Sequence, residues 1–140
     1  MTAAALTPRV RIMAICDEVR KSKTEVDVFH LKGVRQGITA RRFPFLPKQL
    51  WLFLLLSCPR DGEYPCYVRI VNDRTDKIVF YAHLEPVPTF GTDGGVSINR
   101  APLRCSFAEE GRYTVQVWFF QEERPDVIKA EQPFDVLQEP

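Results

Sequence analysis

The clearest alternation of apolar and polar positions in this chain follows Gly111. Tyr113, Val115, Val117 and Phe119 fall on one side, and Arg112, Thr114, Gln116 and Trp118 on the other. A period of two residues is the signature of a strand with one buried face. The same reading predicts strands over residues 9–19, 26–31, 64–72, 77–84, 96–107 and 127–137. Residues 50–58 are different: an unbroken apolar run, Leu50 to Leu56, predicts a central strand buried on both faces. Turn chemistry separates the segments, at Pro59-Arg60-Asp61-Gly62, at Asp73-Arg74-Thr75-Asp76 in a hairpin, and at Glu122-Glu123-Arg124-Pro125-Asp126. No stretch keeps a 3.6-residue apolar period for more than about two turns. The pattern therefore predicts an all-β chain: a two-sheet sandwich of about eight or nine short, mostly antiparallel strands in one domain over residues 1–140.

Proline and glycine refine the picture. Pro102 lacks an amide donor, so its strand belongs at a sheet edge or carries a bulge, and Pro133 interrupts the last strand. Residues 39–49 read as a loop, because Pro44 and Pro47 disfavour helix. Residues 85–95, with Pro86, Pro88, Gly91, Gly94 and Gly95, read as a long, mobile surface connection.

The Gly111-x-Tyr113-x-Val115-x-Val117 run resembles the late strand of an immunoglobulin-like sandwich, in which a Tyr at the strand entry packs into a corner. Ile15-Cys16-Asp17-Glu18-Val19, Leu31-Lys32-Gly33-Val34, Phe43-Pro44 ahead of the apolar strand, and Gly111-Arg112-Tyr113 are similar to a family of small, uncharacterised bacterial β-sandwich proteins. The resemblance spans most of the chain through short motifs. It implies an immunoglobulin-like, bacterial, cytoplasmic sandwich and brings no catalytic residues with it.

Charge narrows the choice of partner. Lys and Arg number 19 against 18 Asp and Glu, a balance that disfavours nucleic-acid binding through a basic surface. The apolar start, Met1 to Leu6, is cut off by Pro8, Arg9 and Arg11 before a signal-peptide core could form. The longest apolar run is far too short to span a bilayer as a helix. A cytoplasmic protein with no membrane contact is the expectation. Cys16, Cys58, Cys66 and Cys105 are then expected to be reduced, and the nearest pair, Cys58 and Cys66, is too widely spaced for the usual zinc-ligand pair. No metal or other cofactor is expected.

Catalytic signatures are missing where sequence would reveal them. Gly91-Thr92-Asp93-Gly94-Gly95 lacks the Lys-Ser/Thr that completes a phosphate loop, and there is no Gly-x-Ser-x-Gly or His-Glu-x-x-His. His30 and His83 lie in strand patterns, where a neighbour satisfying the ring is a simpler account than pairing with Cys58 or Cys66. Asp61 with Glu63, and Asp73 with Asp76, suit turns better than a calcium site.

Two surfaces remain as candidates. In the loop, Arg41, Arg42 and Lys48 alternate with Phe43 and Phe45, which either engage a partner or close one end of the sandwich. On the outward phase of the strands, Trp118, Tyr67, Arg69 and Tyr81, with His83, would form an aromatic and polar face. Alternatively, Trp118 lies beneath residues 85–95. The functional expectation is a non-catalytic protein-interaction or self-assembly module whose partner is another protein or its own copy. The alternatives are a carbohydrate-binding sandwich and, behind it, a small hydrolase or metal-dependent enzyme.

Overall fold

A computed structural model describes residues 7–92, 94–119 and 128–140. The apolar start and the turn expected over residues 122–126 lie outside the described residues. Among those described, the chain is all-β and has eleven strands rather than eight or nine. They are β1 (Arg9–Lys21), β2 (Phe29–Val34), β3 (Gly37–Ala40), β4 (Trp51–Cys58), β5 (Gly62–Glu63), β6 (Cys66–Asn72), β7 (Ile78–His83), β8 (Thr89–Phe90), β9 (Gly95–Pro102), β10 (Gly111–Phe119) and β11 (Ala130–Gln138). The additions are β3, β5 and β8, of four, two and two residues, too short to display an alternation.

The strands form a four-stranded sheet in the order β2-β1-β4-β9, a five-stranded sheet β3-β11-β10-β6-β7, and the small pair β5-β8. All pairings are antiparallel except that of β3 with β11. β9 is an edge strand that ends at Pro102, as a residue without an amide donor requires. Pro133 pairs with Thr114, whereas β3 reaches only Asp135 to Gln138 of the same strand. The second strand starts later than its pattern suggested, because Val26 sits 85% exposed in the preceding turn.

β10 buries the face that its alternation marks. Tyr113, Val115, Val117 and Phe119 join Val68 and Ile70 of β6, Phe134 and Val136 of β11, and Leu52, Leu54 and Leu56 of β4 in one buried cluster. Both larger sheets thus contribute side chains to the main core, and removal of this apolar area from water is its chief stabilising term. At the β10 entry the Tyr113 hydroxyl donates to the Glu109 carbonyl at 2.7 Å, and the ring meets Phe107 edge-on with centroids 4.9 Å apart.

β4 is apolar on both faces because both are covered. Phe53 enters a second buried cluster with Ala14, Cys16 and Val19, against which Phe29, Leu31, Trp51, Leu55 and Ile98 pack. The cover is the distal part of the β1–β2 hairpin. Arg100 Nη1 of β9 donates to the Val19 carbonyl of β1 at 2.9 Å, and the Phe29 ring lies 6.4 Å from that of Phe53. Each of these contacts skips one strand of the sheet order, so the end of the hairpin lies over the sheet and does not simply extend it.

The connection expected to be mobile is pinned over residues 88–90 and at Gly94. Pro88 and Phe90 are buried, Thr89 and Phe90 pair with Glu63 and Gly62, and Phe90 packs edge-on against Tyr64. At Gly94, where φ is +74°, a Cβ would overlap the Cys58 carbonyl and the Pro59 backbone, so glycine permits this close approach.

Candidate functional site

Strand register assembles the aromatic face. Trp118 of β10 sits opposite Tyr67 of β6, and Gln116 opposite Arg69. Arg69 in turn sits opposite Tyr81 of β7, and Tyr67 opposite His83. The Tyr67 ring stacks on Trp118 with centroids 5.6 Å apart and on Tyr81 at 6.1 Å, and Tyr81 and Trp118 are 5.9 Å apart. The Arg69 guanidinium lies over the indole at 5.2 Å from its centroid. Its Nε donates to Gln116 Oε1 at 2.7 Å, and Gln116 Nε2 donates to Glu131 Oε2 at 3.1 Å. The result is a ladder of π surfaces finished by a cation and extended by a hydrogen-bond chain into β11.

Sequence phase brings these four residues together correctly but overstates the exposure of one. Trp118 is on the face away from the main core, yet only 6% exposed, and Tyr67, Arg69 and Tyr81 are all in contact with the indole. Those ring contacts come from its own sheet. Tyr81, on edge strand β7, is the member that solvent reaches, at 58% exposure.

The loop residues are placed separately. Arg41, Arg42 and Lys48 are exposed, and Arg41 meets Glu139 at 3.4 Å in an open pair that contributes little. Phe43 is half-buried against the main core. Phe45 is half-buried too, and its backbone exchanges two hydrogen bonds of 2.8 Å with Phe107. Phe43 therefore helps to close the core, Phe45 is tied to it through the backbone, and Leu46 is left 58% exposed.

Among the described residues the cysteines stand without a hydrogen-bonded histidine. All four cysteines are buried and unpaired. Desolvation pushes the Cys66 and Cys105 thiols up to about 12, and that of Cys16 upward, which keeps them protonated and poorly nucleophilic near neutrality. His83 Nε2 is 2.7 Å from Glu85 Oε1 on the exposed surface. Asp73 accepts from the Thr114 hydroxyl at 2.6 Å, a structural use of a turn carboxylate. Among the described residues no three His, Cys, Asp or Glu side chains gather as metal ligands.

A further site escaped the sequence reading. Between edge strands β7 and β9 runs a depression of ≈ 430 Å³ lined by Tyr81, His83 and Arg100, among others. It meets a second depression, of ≈ 460 Å³, beside the hairpin, lined by Lys21, Phe29, Trp51 and Asn99 as well. The two share Glu85, Arg100 and Pro102. Arg100 is held by its bond to Val19 O and by stacking 5.5 Å over the Trp51 ring. These residues come from four separated stretches of chain. The one local signal is a Trp at the start of a strongly apolar strand.

No protein-family model and no curated protein matches the chain. Similarity to solved structures is found. One is the alkylpurine DNA glycosylase AlkC of Pseudomonas fluorescens bound to DNA containing an abasic site analogue, with TM-score 0.57 and 10% identity over 95% of this chain. Another is a β-D-glucoside glucohydrolase of Trichoderma reesei, with TM-score 0.52 and 10% identity over 97% of this chain. This chain spans only 31% and 19% of those two. At such identities the likeness concerns the fold alone.

Proposed function

We propose that the chain is a non-catalytic protein-interaction or self-assembly module, built on an immunoglobulin-like β-sandwich and acting in the bacterial cytoplasm. The sandwich reading is supported by the core cluster that both larger sheets share and by the Tyr113 hydroxyl bonded to a carbonyl just upstream, the geometry of a tyrosine corner. The compartment rests on the motif resemblance. Among the described residues no helix is long and apolar enough to cross a membrane.

The observation that carries the binding role is the Arg69–Trp118–Tyr67–Tyr81 ladder. Tyr, Trp and Arg supply a large share of interface energy. Here their side chains are ordered by stacking before any partner arrives, which lowers the entropy lost on binding. With Trp118 covered, Tyr81 is the ring most open to a flat sugar, and this favours a protein partner, including a second copy, over carbohydrate.

The test is Tyr81→Ala and, separately, Arg69→Glu, with self-association followed by light scattering and partners captured by a photo-crosslinking residue at position 81. Loss of a true anchor should weaken association by about 2 kcal/mol or more. A protein that stays monomeric at high concentration and crosslinks to nothing in cells would remove this reading. An Arg41→Glu, Arg42→Glu variant that alone loses the interaction would move the surface to the loop.

A further inference from the structure

We infer that the groove between β7 and β9, continued beside the β1–β2 hairpin, binds an extended acidic peptide segment carrying a large apolar side chain. The first argument is charge. Lys21 and Arg100 both line the groove, and among the described residues neither has a carboxylate partner. Two cations thus face one carboxylate, Glu85, which His83 already engages at 2.7 Å.

The second argument is preorganisation. The Arg100 guanidinium is fixed by the Val19 carbonyl on one side and the Trp51 ring on another. One of its N–H groups is used in that bond, and the rest of the planar fork remains for a carboxylate, which it matches in geometry. A guanidinium already held in place loses less freedom on binding than a free one.

The third is the apolar wall. Phe29, Trp51 and Ile98 lie beside the two cations, and Tyr81 stands at the far end, so an acidic residue and a bulky apolar neighbour can be held together. Its β7–β9 half lies at the open edges of two sheets, where an extended chain can be held alongside a strand. Closely spaced phosphates fit less well, because Glu85 projects into the same groove and the chain as a whole carries a formal charge of only +1.

The proposal rests on the reading of the chain as a binding module; it shares Tyr81 with the aromatic ladder, but not Trp118, Tyr67 or Arg69. The experiment uses fluorescence anisotropy with the full chain. The probes are labelled peptides in which Asp or Glu flanks Phe, Leu or Trp, with Lys-substituted copies of each as controls and inorganic phosphate as competitor. The acidic aromatic peptides should bind, more weakly as salt is raised, and their Lys copies should not. Arg100→Glu should weaken binding by about tenfold or more, as expected when a fixed charge partner is reversed.

Arg100 also anchors the hairpin, so Lys21→Glu, an exposed substitution, provides the second variant and should weaken the same peptides. Arg60→Glu, an exposed change in the turn after β4 and outside the groove, should leave them unchanged. If no acidic peptide binds better than its Lys copy, or if both groove variants bind as well as the parent, the proposal is wrong. Full displacement by inorganic phosphate would overturn it in favour of a small-anion site. Failure here with the Tyr81 and Arg69 effects on association intact would leave the interaction module standing without this groove.

Discussion

Val117 and Gln116 are neighbours in sequence and opposites in environment. Val117 is fully buried among the side chains of both larger sheets, whereas Gln116 is half-buried and links Arg69 to Glu131. Val117→Asp places a carboxylate with no partner in the core and should cost about 3–5 kcal/mol, enough to unfold a marginal domain. Gln116→Asp retains an acceptor on the Arg69 side and should cost about 1 kcal/mol through the weakened hydrogen bonds. Urea denaturation of both variants checks the order, and a more damaging Gln116→Asp would contradict it. Strand phase is legible because parity is a local property of the backbone. The burial of Trp118 is not, since the side chains that meet its ring include Tyr67, Arg69 and Tyr81 on other strands.

At the scale of elements, the β1–β2 hairpin is the part whose placement matters most. Its Phe29 closes the second cluster over Phe53, and its turn is held by the Ser22 amide donating to Val28 O at 2.8 Å. Phe29→Ala should lower stability by about 1–2 kcal/mol, a figure suited to a half-buried ring with one aromatic contact. Hydrogen exchange should accelerate at the Ser22 amide while the β10 amides keep their protection relative to the global free energy. Equal acceleration in both places would show that the hairpin is not a separate cover. The unbroken apolar run of β4 announced that something must lie on each face. Which element does so depended on where β1 could fold back, a question no local pattern answers.

For the whole molecule, buried thiols predict the response to alkali. Desolvation pushes the Cys66 and Cys105 thiols from their ordinary value of 9.0 up to about 12, so the unfolded chain releases these protons at lower pH than the folded one. Above about 9 the unfolded state then binds fewer protons, and stability should fall as pH rises toward about 12. Burial raises the Tyr113 hydroxyl as well, which adds to the same slope. Below the unfolded value these groups are protonated in both states and contribute no slope. Urea midpoints measured across the alkaline range should decline, and Cys66→Ala with Cys105→Ala should flatten the decline. An unchanged slope would locate alkaline sensitivity elsewhere.

The amino-acid order alone determined the all-β class, the inward face of β10, the doubly buried character of β4 and the restriction of the Pro102 strand to an edge or a bulge. Each follows from a rule acting within a few residues: side-chain parity, the length of an apolar run, or a missing amide proton. It also named the four members of the ladder, because each strand's outward phase could be read by itself. Only the tertiary structure decided which strands lie side by side, and hence that Tyr67 would stack on both Tyr81 and Trp118 and bury the indole. It alone laid the hairpin across β4, and brought Lys21, Trp51, Glu85 and Arg100 to one groove. Contacts between distant segments are set by the joint packing of whole faces, and a one-dimensional pattern records each face without recording what it meets.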